Sequence, residues 1–299
     1  MAADSSSIIW RTLVPADAPE FSLLLDRAFG LSSPASYLAD FPVWHPAISP
    51  MDSRFQIGGF REGRLLSTAS IRFVDYRFEG GNAERFGLIG GVATHPDFSG
   101  RGYGGEAMDR VLAEGEKRGI TSFALWGAES SVYSTRGFKF AGRQVRLPLA
   151  ALVIPKTIIT GYEIRSGWEF AIEDQFLSRK SGVLYSGADV RWLSQHGNVE
   201  WRSFWRDGKC LAYCGWNRGI DLPNMIHELG GDPGAVVQLL YFLRERYPKL
   251  EWLAHPDSAT TLGISTTGDF SEEYLAQFRV SDSNLSRLGS MWMSGMDAC

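Results

Sequence analysis

The chain has 299 residues, 44% hydrophobic and 13% aromatic, with a formal net charge of -4. That length favours two domains with sizeable cores, and the acidic balance argues against a nucleic-acid surface held by counterion release. Three cysteines, Cys210, Cys214 and Cys299, make no even disulfide framework and stand beside no histidine pair at metal spacing, so a reducing cytoplasmic setting without a metal is expected.

Residues 1–7 lack the basic and apolar regions of a signal peptide and read as a disordered N-terminus, and no run reaches the roughly 18 apolar residues of a membrane span. Ile8 to Val14 predicts a strand, and Ala16 to Phe29 a helix with Phe21, Leu24, Leu25 and Ala28 on one side. Pro34 to Pro50, rich in proline and aromatic rings, reads in two ways. It is a short helix and loop bordering a pocket, with Phe41, Trp44 and His45 as candidate substrate contacts, or a packed surface loop. Arg54 to Phe60 and Leu65 to Phe78 predict strands around the turn Arg61-Glu62-Gly63-Arg64, and Arg85 to Ala93 a third, giving an antiparallel meander.

The meander leads into Ser99-Gly100-Arg101-Gly102-Tyr103-Gly104-Gly105, where glycines open an amphipathic helix from Gly104 to Arg118. Glycine lets consecutive N–H groups converge on one anion, and the helix N-terminus adds about half a positive charge. A ligand carrying a pyrophosphate is expected. The helix places Ala107, Val111, Leu112 and Gly115 on one face, and Thr121 to Trp126 follows as an apolar strand. Tyr133 sits on a short helix beyond it as a candidate proton donor, and a closing strand is expected near Lys139 to Leu147.

The second half repeats the first: Phe60-Arg61-Glu62-Gly63-Arg64-Leu65-Leu66 is echoed by Trp205-Arg206-Asp207-Gly208-Lys209-Cys210-Leu211. Arg118 before the first apolar strand matches Arg246 before Leu250 to Leu253, but at a shorter offset. The missing residues are the glycine loop and its approach, so the second half is expected to be a copy that has lost its phosphate cradle. Cys210 and Cys214 read as buried strand residues, and His227 and His255 as structural. Trp192, Trp201, Trp205, Trp216 and Trp252 are expected to pack against the first half, with some of the rings walling an acceptor pocket.

Gly100 to Gly105 also spells G-x-G-x-x-G, with Glu129 near the spacing of a ribose-binding acid, so a dinucleotide-binding oxidoreductase is a rival reading. Against it, His95-Pro96-Asp97-Phe98-Ser99 separates strand from glycines, and the preceding strands alternate like a meander. A P-loop is excluded because no Lys-Ser or Lys-Thr follows the glycines.

Ser99-Gly100-Arg101-Gly102-Tyr103-Gly104 and Tyr133-Ser134-Thr135-Arg136-Gly137-Phe138 resemble the GNAT acetyltransferases, whose pattern is strand, R/Q-x-x-G-x-G/A, helix, then Y-x-x-x-G-F. Ser99 departs from the usual Arg or Gln, which removes one side-chain contact and leaves the backbone amides. Trp126-Gly127-Ala128-Glu129-Ser130-Ser131-Val132-Tyr133 is similar to a segment of the Eis-like acetyltransferases, which place a cofactor-free GNAT-like domain after the first. The resemblance implies a tandem GNAT fold of the α/β (α+β) class, with a mixed central sheet flanked by helices in each half. Residues 8–150 would hold an acetyl-CoA site and 160–299 a degenerate copy. No sterol-carrier-like third domain fits, and the chain-terminal carboxylate used as base by some members does not transfer to Cys299 on resemblance alone.

The implied reaction is direct acetyl transfer to a primary amine of a small molecule or peptide. Gly100, Arg101, Gly102, Tyr103, Gly104 and Gly105 would hold the pyrophosphate, and Val92, Ala93 and Thr94 the pantetheine arm. Tyr133 would act as general acid towards the departing thiolate. No carboxylate stands on the strand from Phe86 to Thr94, which leaves Glu129 and His95 as candidate bases, Glu129 alternatively as a helix cap. A different class remains open: a CoA-binding regulatory or partner-binding protein without turnover. Neither the acceptor nor the oligomeric state is legible.

Overall fold

In the computed structural model the described residues are 7–32, 36–48, 52–128, 130–155, 160–219 and 221–298; residues 1–6, Glu129 and Cys299 lie outside them. Strand β1 (Ile9–Thr12) precedes helix α1 (Ala18–Ala28), whose buried Phe21, Leu24 and Leu25 recur at helical spacing, and the short helix α2 (Tyr37–Asp40). The meander follows as β2 (Arg54–Arg61), β3 (Arg64–Arg77) and β4 (Ala83–Thr94). Helix α3 (Tyr103–Lys117) buries Ala107, Met108, Val111, Leu112 and Gly115 on the sheet, before β5 (Ser122–Leu125), α4 (Ser131–Ser134) and β6 (Lys139–Ala141).

After β6 come β7 (Gln144–Pro148), β8 (Leu152–Val153), β9 (Tyr162–Ser166), α5 (Phe170–Leu177), β10 (Gly182–Leu184) and α6 (Val190–Leu193). A second meander is formed by β11 (Glu200–Arg206), β12 (Lys209–Trp216) and β13 (Met225–Gly231), leading to α7 (Pro233–Arg246) and β14 (Glu251–Ala254). The chain ends through α8 (Ser258–Thr261), β15 (Ser265–Thr266), β16 (Glu272–Glu273), β17 (Ala276–Arg279) and α9 (Asp282–Leu285).

The repeated hairpin is real in three dimensions. Glu62 and Gly63 in the first turn, and Asp207 and Gly208 in the second, all have positive φ, the type I′ geometry that matches the twist of two paired strands. Each hairpin also carries a register shift just before its turn, between Gly59 and Phe60 in β2 and between Phe204 and Trp205 in β11.

Two mixed sheets follow the same path. The first runs β1-β2-β3-β4-β5-β17-β6 with β10 beside β3, and the second runs β9-β11-β12-β13-β14-β7-β16. In each, a single parallel pair, β4 with β5 or β13 with β14, is bridged by a helix. The dinucleotide-binding reading fails here, because the strand entering the glycine loop is antiparallel to β3 and belongs to no doubly wound parallel sheet.

The strand expected over Lys139 to Leu147 is instead broken at Gly142, which turns with φ 69°. β6 stays in the first sheet, whereas β7 crosses to pair with β14. In return β17 enters the first sheet between β5 and β6. The ranges 8–150 and 160–299 therefore interlock: β7 of the first joins the second sheet, and β10 and β17 of the second join the first. A continuous apolar core joins Leu24, Trp44 and Phe86 to Trp192, Trp201, Met291 and Met293. Trp216 and Trp252 lie in the core of the second sheet, and none of the five tryptophans from which the wall of an acceptor pocket is predicted lines the cavity described below. Cys214 is buried and Cys210 half-buried on β12, and burial pushes their thiols up to about 12 and about 11. No helix among the described residues is long and apolar enough to cross a membrane.

Candidate active site

β4 and β5 pair in parallel from Phe86↔Ser122 to Ile89↔Leu125 and then part. β5 ends there while β4 continues to Thr94, and the β3–β4 register slips opposite Gly91 and Val92. That bulge bends β4 and leaves the N–H and C=O groups of Gly90 to Thr94 on the β5 side as an open edge. Val92 is half-buried on this edge, Ala93 is buried with its carbonyl accepting from Ser67 Oγ at 3.0 Å, and Thr94 Oγ1 lies 2.9 Å from Ser67 Oγ.

Beyond Thr94 a single 3-10 turn (Pro96–Phe98) delivers the chain to the glycine loop. Gly102 is the N-cap of α3 with φ 82°, a conformation glycine adopts without strain. The first N–H to find an intrahelical carbonyl is that of Glu106, on Gly102 at 3.0 Å, so the amides of Tyr103, Gly104 and Gly105 lack helical partners. A Cβ added at Gly100 or Gly102 would meet nothing within 4 Å beyond the adjoining residues, so both glycines border open space.

Four guanidinium groups gather on the approach to this loop. Arg64 and Arg27 reach His95 Nε2 at 2.6 and 3.3 Å, while Arg61 and Arg101 lie over the ring of Phe98 at 4.6 and 5.1 Å. Among the described residues none of the four forms an ion pair with a carboxylate. The patch presents positive charge beside amides that already favour anions.

His95 is buried inside that patch. Its Nε2 faces guanidinium donors, and burial together with Arg64 lowers its pKa. It does not line the cavity, so the structure does not bring this predicted base to the chemistry. The other predicted base, Glu129, lies outside the described residues.

Tyr133 stands on α4, which Ser130 caps by accepting from the Val132 amide at 3.1 Å. Its hydroxyl is beside Gly127, 3.8 Å from where a Cβ on that glycine would sit. Burial raises the phenol pKa, so it holds its proton at neutral pH. Arg136 ties this helix to the loop: Nη2 donates to the Gly105 carbonyl at 2.9 Å, Nη1 to the Val132 carbonyl at 2.8 Å, and Nε to Asp109 at 2.6 Å. From the exchanged β17, Gln277 Nε2 donates to the carbonyls of Gly127 and Ala128 at 2.9 and 3.2 Å. Neither Arg136 nor Gln277 was expected to be part of the site from sequence.

At the mouth of the wedge lies a cavity of about 560 Å³, lined by Ile89 to Val92, Leu125 to Ala128, Ser130 and Tyr133 from the first half. Arg218, Asp221, Met293 to Gly295 and Ala298 close it from the second. Of the predicted substrate contacts, Phe41 lines this cavity with Phe29 and Tyr37. Trp44 is fully buried, and His45 borders a separate surface depression beside α1 and α2.

The second half retains the wedge and loses the cradle. β13 and β14 pair only at Met225↔Glu251 and Ile226↔Trp252 before parting. Asp232 caps α7 directly, accepting from the Ala235 amide at 3.0 Å, so a carboxylate sits where the first half offers open amides. The parted strands receive the chain's own C-terminal segment. The Gly295 N–H donates to the His227 carbonyl at 2.8 Å, and Ser294 Oγ donates to Glu228 at 2.5 Å. Arg179 holds both Glu228 and Asp297, the latter at 3.2 Å.

Comparison with known proteins agrees with this geometry. Residues 10–141 match the family model described as acetyltransferase (GNAT) domain. No curated protein matches the sequence. The fold is similar to that of a GCN5-related N-acetyltransferase from Kribbella flavida, with TM-score 0.63, 17% identity, and 95% of this chain and 74% of that one covered. Eis1 from Mycobacterium abscessus gives TM-score 0.60 at 12% identity, covering 93% of this chain and 74% of that one. A tandem GNAT protein from the clavulanic acid biosynthesis pathway gives 0.50 at 14%, covering 91% and 98%. Residues 10–141 thus carry an acetyltransferase (GNAT) domain, and the chain as a whole has the fold of GNAT proteins, a tandem one among them.

Proposed function

We propose that this protein transfers acetyl from acetyl-CoA to a primary amine of a small molecule or peptide. The observation that carries the reading is the convergence of three features on one wedge: the open β4 edge, the unpaired amides at the start of α3, and the protonated Tyr133. In this reading the backbone of Gly100, Arg101, Gly102, Tyr103, Gly104 and Gly105 holds the pyrophosphate, and Val92, Ala93 and Thr94 the pantetheine arm. The donor supplies an activated acyl carbon. The β4 edge orients the thioester carbonyl, whose carbon the amine attacks; the C–N bond forms, the C–S bond breaks, and Tyr133 gives its phenolic proton to the departing sulfur. Glu129 takes the amine proton, directly or through water; its sequence neighbours Ala128 and Ser130 both line the cavity. Residues 8–150 carry the donor site, and 160–299 shape the acceptor cavity.

The test pairs calorimetry of CoA binding with thiol release from acetyl-CoA across polyamines, aminoglycosides, amino acids and peptides. CoA binding together with thiol release is the expected result. Tight CoA binding without release across the panel would assign the protein to regulation or partner binding instead. Binding of a nicotinamide dinucleotide in place of CoA would overturn the reading at its first step.

A further inference from the structure

We infer that the acceptor is a monoamine with an aromatic body, bound against a wall of stacked rings in the cavity beside Tyr133. This deepens the acetyl-transfer reading and rests on it for the identity of the transferred group. The wall is a column. Phe29 stacks on Tyr37 with ring centroids 4.7 Å apart and planes at 24°, and Tyr37 stacks on Phe41 at 4.6 Å and 26°. The far end is closed by the Arg218 guanidinium, 4.7 Å over Phe41. Hydrogen bonds to the backbone hold the column in place: Asp26 Oδ1 accepts from the Tyr37 amide at 2.7 Å, and the Phe41 amide donates to the Tyr37 carbonyl at 2.8 Å.

The near end is open. Phe29 lines the cavity with 45% of its surface exposed, and no second ring among the described residues stacks on it. A phenylalanine that lines a cavity with nearly half of its surface exposed presents its ring to whatever enters. Ring stacking adds a geometric preference beyond apolar burial, so an aromatic body is favoured over an aliphatic one of equal size.

Charge decides against a polycation. Among the described residues the charged side chains on the lining are Arg146, Arg218 and Asp221. Asp221 is held by Arg218 through two bonds, Nε to Oδ1 at 3.2 Å and Nη2 to Oδ2 at 2.5 Å. Arg146 is offset by Glu273 at 3.3 Å. An acceptor with several ammonium groups would need several free carboxylates on this wall; among the described residues Asp221 is the only one and it is paired, which leaves the proposed base Glu129 to meet a single amine. Among the described lining residues two arginines stand against one aspartate, so the chain's net charge of -4 is not concentrated on this wall.

The probes are 2-phenylethylamine, 2-cyclohexylethylamine and spermidine. Each is titrated calorimetrically into the full chain with and without CoA, and each is assayed for thiol release with acetyl-CoA. The expected order is phenylethylamine tightest, about 3- to 10-fold ahead of its cyclohexyl isostere and further ahead of spermidine. Phe29→Ala brings the phenyl to cyclohexyl ratio to about one, and Phe29→Tyr restores it. Spermidine binding as well as phenylethylamine, or a ratio unmoved by Phe29→Ala, overturns the inference. Phenylethylamine that binds with this preference yet releases no thiol supports the aromatic wall while refuting acetyl transfer, so the two failures are separable.

Discussion

Replacing Tyr133 by phenylalanine isolates the proposed acid. The ring keeps its place beside Gly127 and its edge-on contact with Phe138 at a centroid distance of 6.5 Å. Burial alone, with no hydrogen bond, accounts for the shift of its phenol, so loss of the hydroxyl leaves no partner stranded. Folding stability should therefore change by no more than about 0.5 kcal/mol. CoA affinity should also hold, because the amides of 103–105 and the β4 edge are untouched. Turnover is different. A positioned general acid contributes about 10²–10⁴-fold, or roughly 3–5 kcal/mol of barrier.

The raised phenol pKa fixes the pH signature as well: the parent's acid stays protonated through neutral pH, so the deficit of Tyr133→Phe should be uniform over roughly pH 6 to 8. The assay is steady-state thiol release, with CoA affinity by calorimetry and the unfolding midpoint in urea measured on the same material. A variant with kcat within about threefold of the parent, intact in affinity and stability, would refute the proton-donor role.

Gly102→Ala should cost about 1–2 kcal/mol of stability from its left-handed backbone, with no steric addition because its surroundings are open, and should weaken CoA about tenfold as the amides tilt. Gly119→Ala, at φ 78° in equally open space at the other end of α3, should show the same loss in urea unfolding with CoA affinity unchanged; equal losses of affinity would sink the cradle. Dephospho-CoA should bind about tenfold or more weakly than CoA if Arg27, Arg61, Arg64 and Arg101 take the extra phosphate, with the gap narrowing in high salt; equal calorimetric affinities would remove them from the site. Stability should fall as pH drops below about 6.5, because burial lowers His196 to about 3 and holds His227 well below its ordinary value while the unfolded chain protonates near 6.5. Two such groups give a slope of about 2.7 kcal/mol per pH unit between roughly pH 6 and pH 5, above the range where carboxylates such as Asp17 contribute; urea unfolding that is flat across that window refutes it.

Local features were legible in the sequence and long-range ones were not. The hairpin turns are written in Glu62-Gly63 and Asp207-Gly208, since positive φ at two successive positions is a local demand. The glycine loop is legible for the same reason, its spacing being set by one turn of backbone. Strand exchange leaves no such mark: Ala276–Arg279 carries the same apolar alternation whichever sheet receives it, and only Gly142 hints that the strand after β6 turns away. His95 misleads because its sequence neighbours say nothing of Arg27 and Arg64, which surround it from distant elements. The cavity wall is hidden likewise. Phe29, Tyr37, Arg218 and Met293 come from separated segments, and their proximity follows only from the interlocked sheets.

Interlocking also explains why a half without a phosphate cradle is part of the machinery. Gln277 on the exchanged strand fixes the carbonyls of Gly127 and Ala128, which precede Tyr133, so the position of the proposed acid depends on a residue from the far end of the chain. The second wedge needs no ligand, because Ser294 and Gly295 bond to β13 there, and Arg179 clamps Glu228 and Asp297 on either side. Removing one member of such a buried set would leave an uncompensated charge, a cost of about 3–5 kcal/mol, which holds the segment in one conformation. Met293, Gly295 and Ala298 then face the first wedge and close its cavity. One half of the duplication leaves its wedge open, where the donor is proposed to bind, and the other fills its own with chain; the second arrangement is what gives the first cavity its far wall.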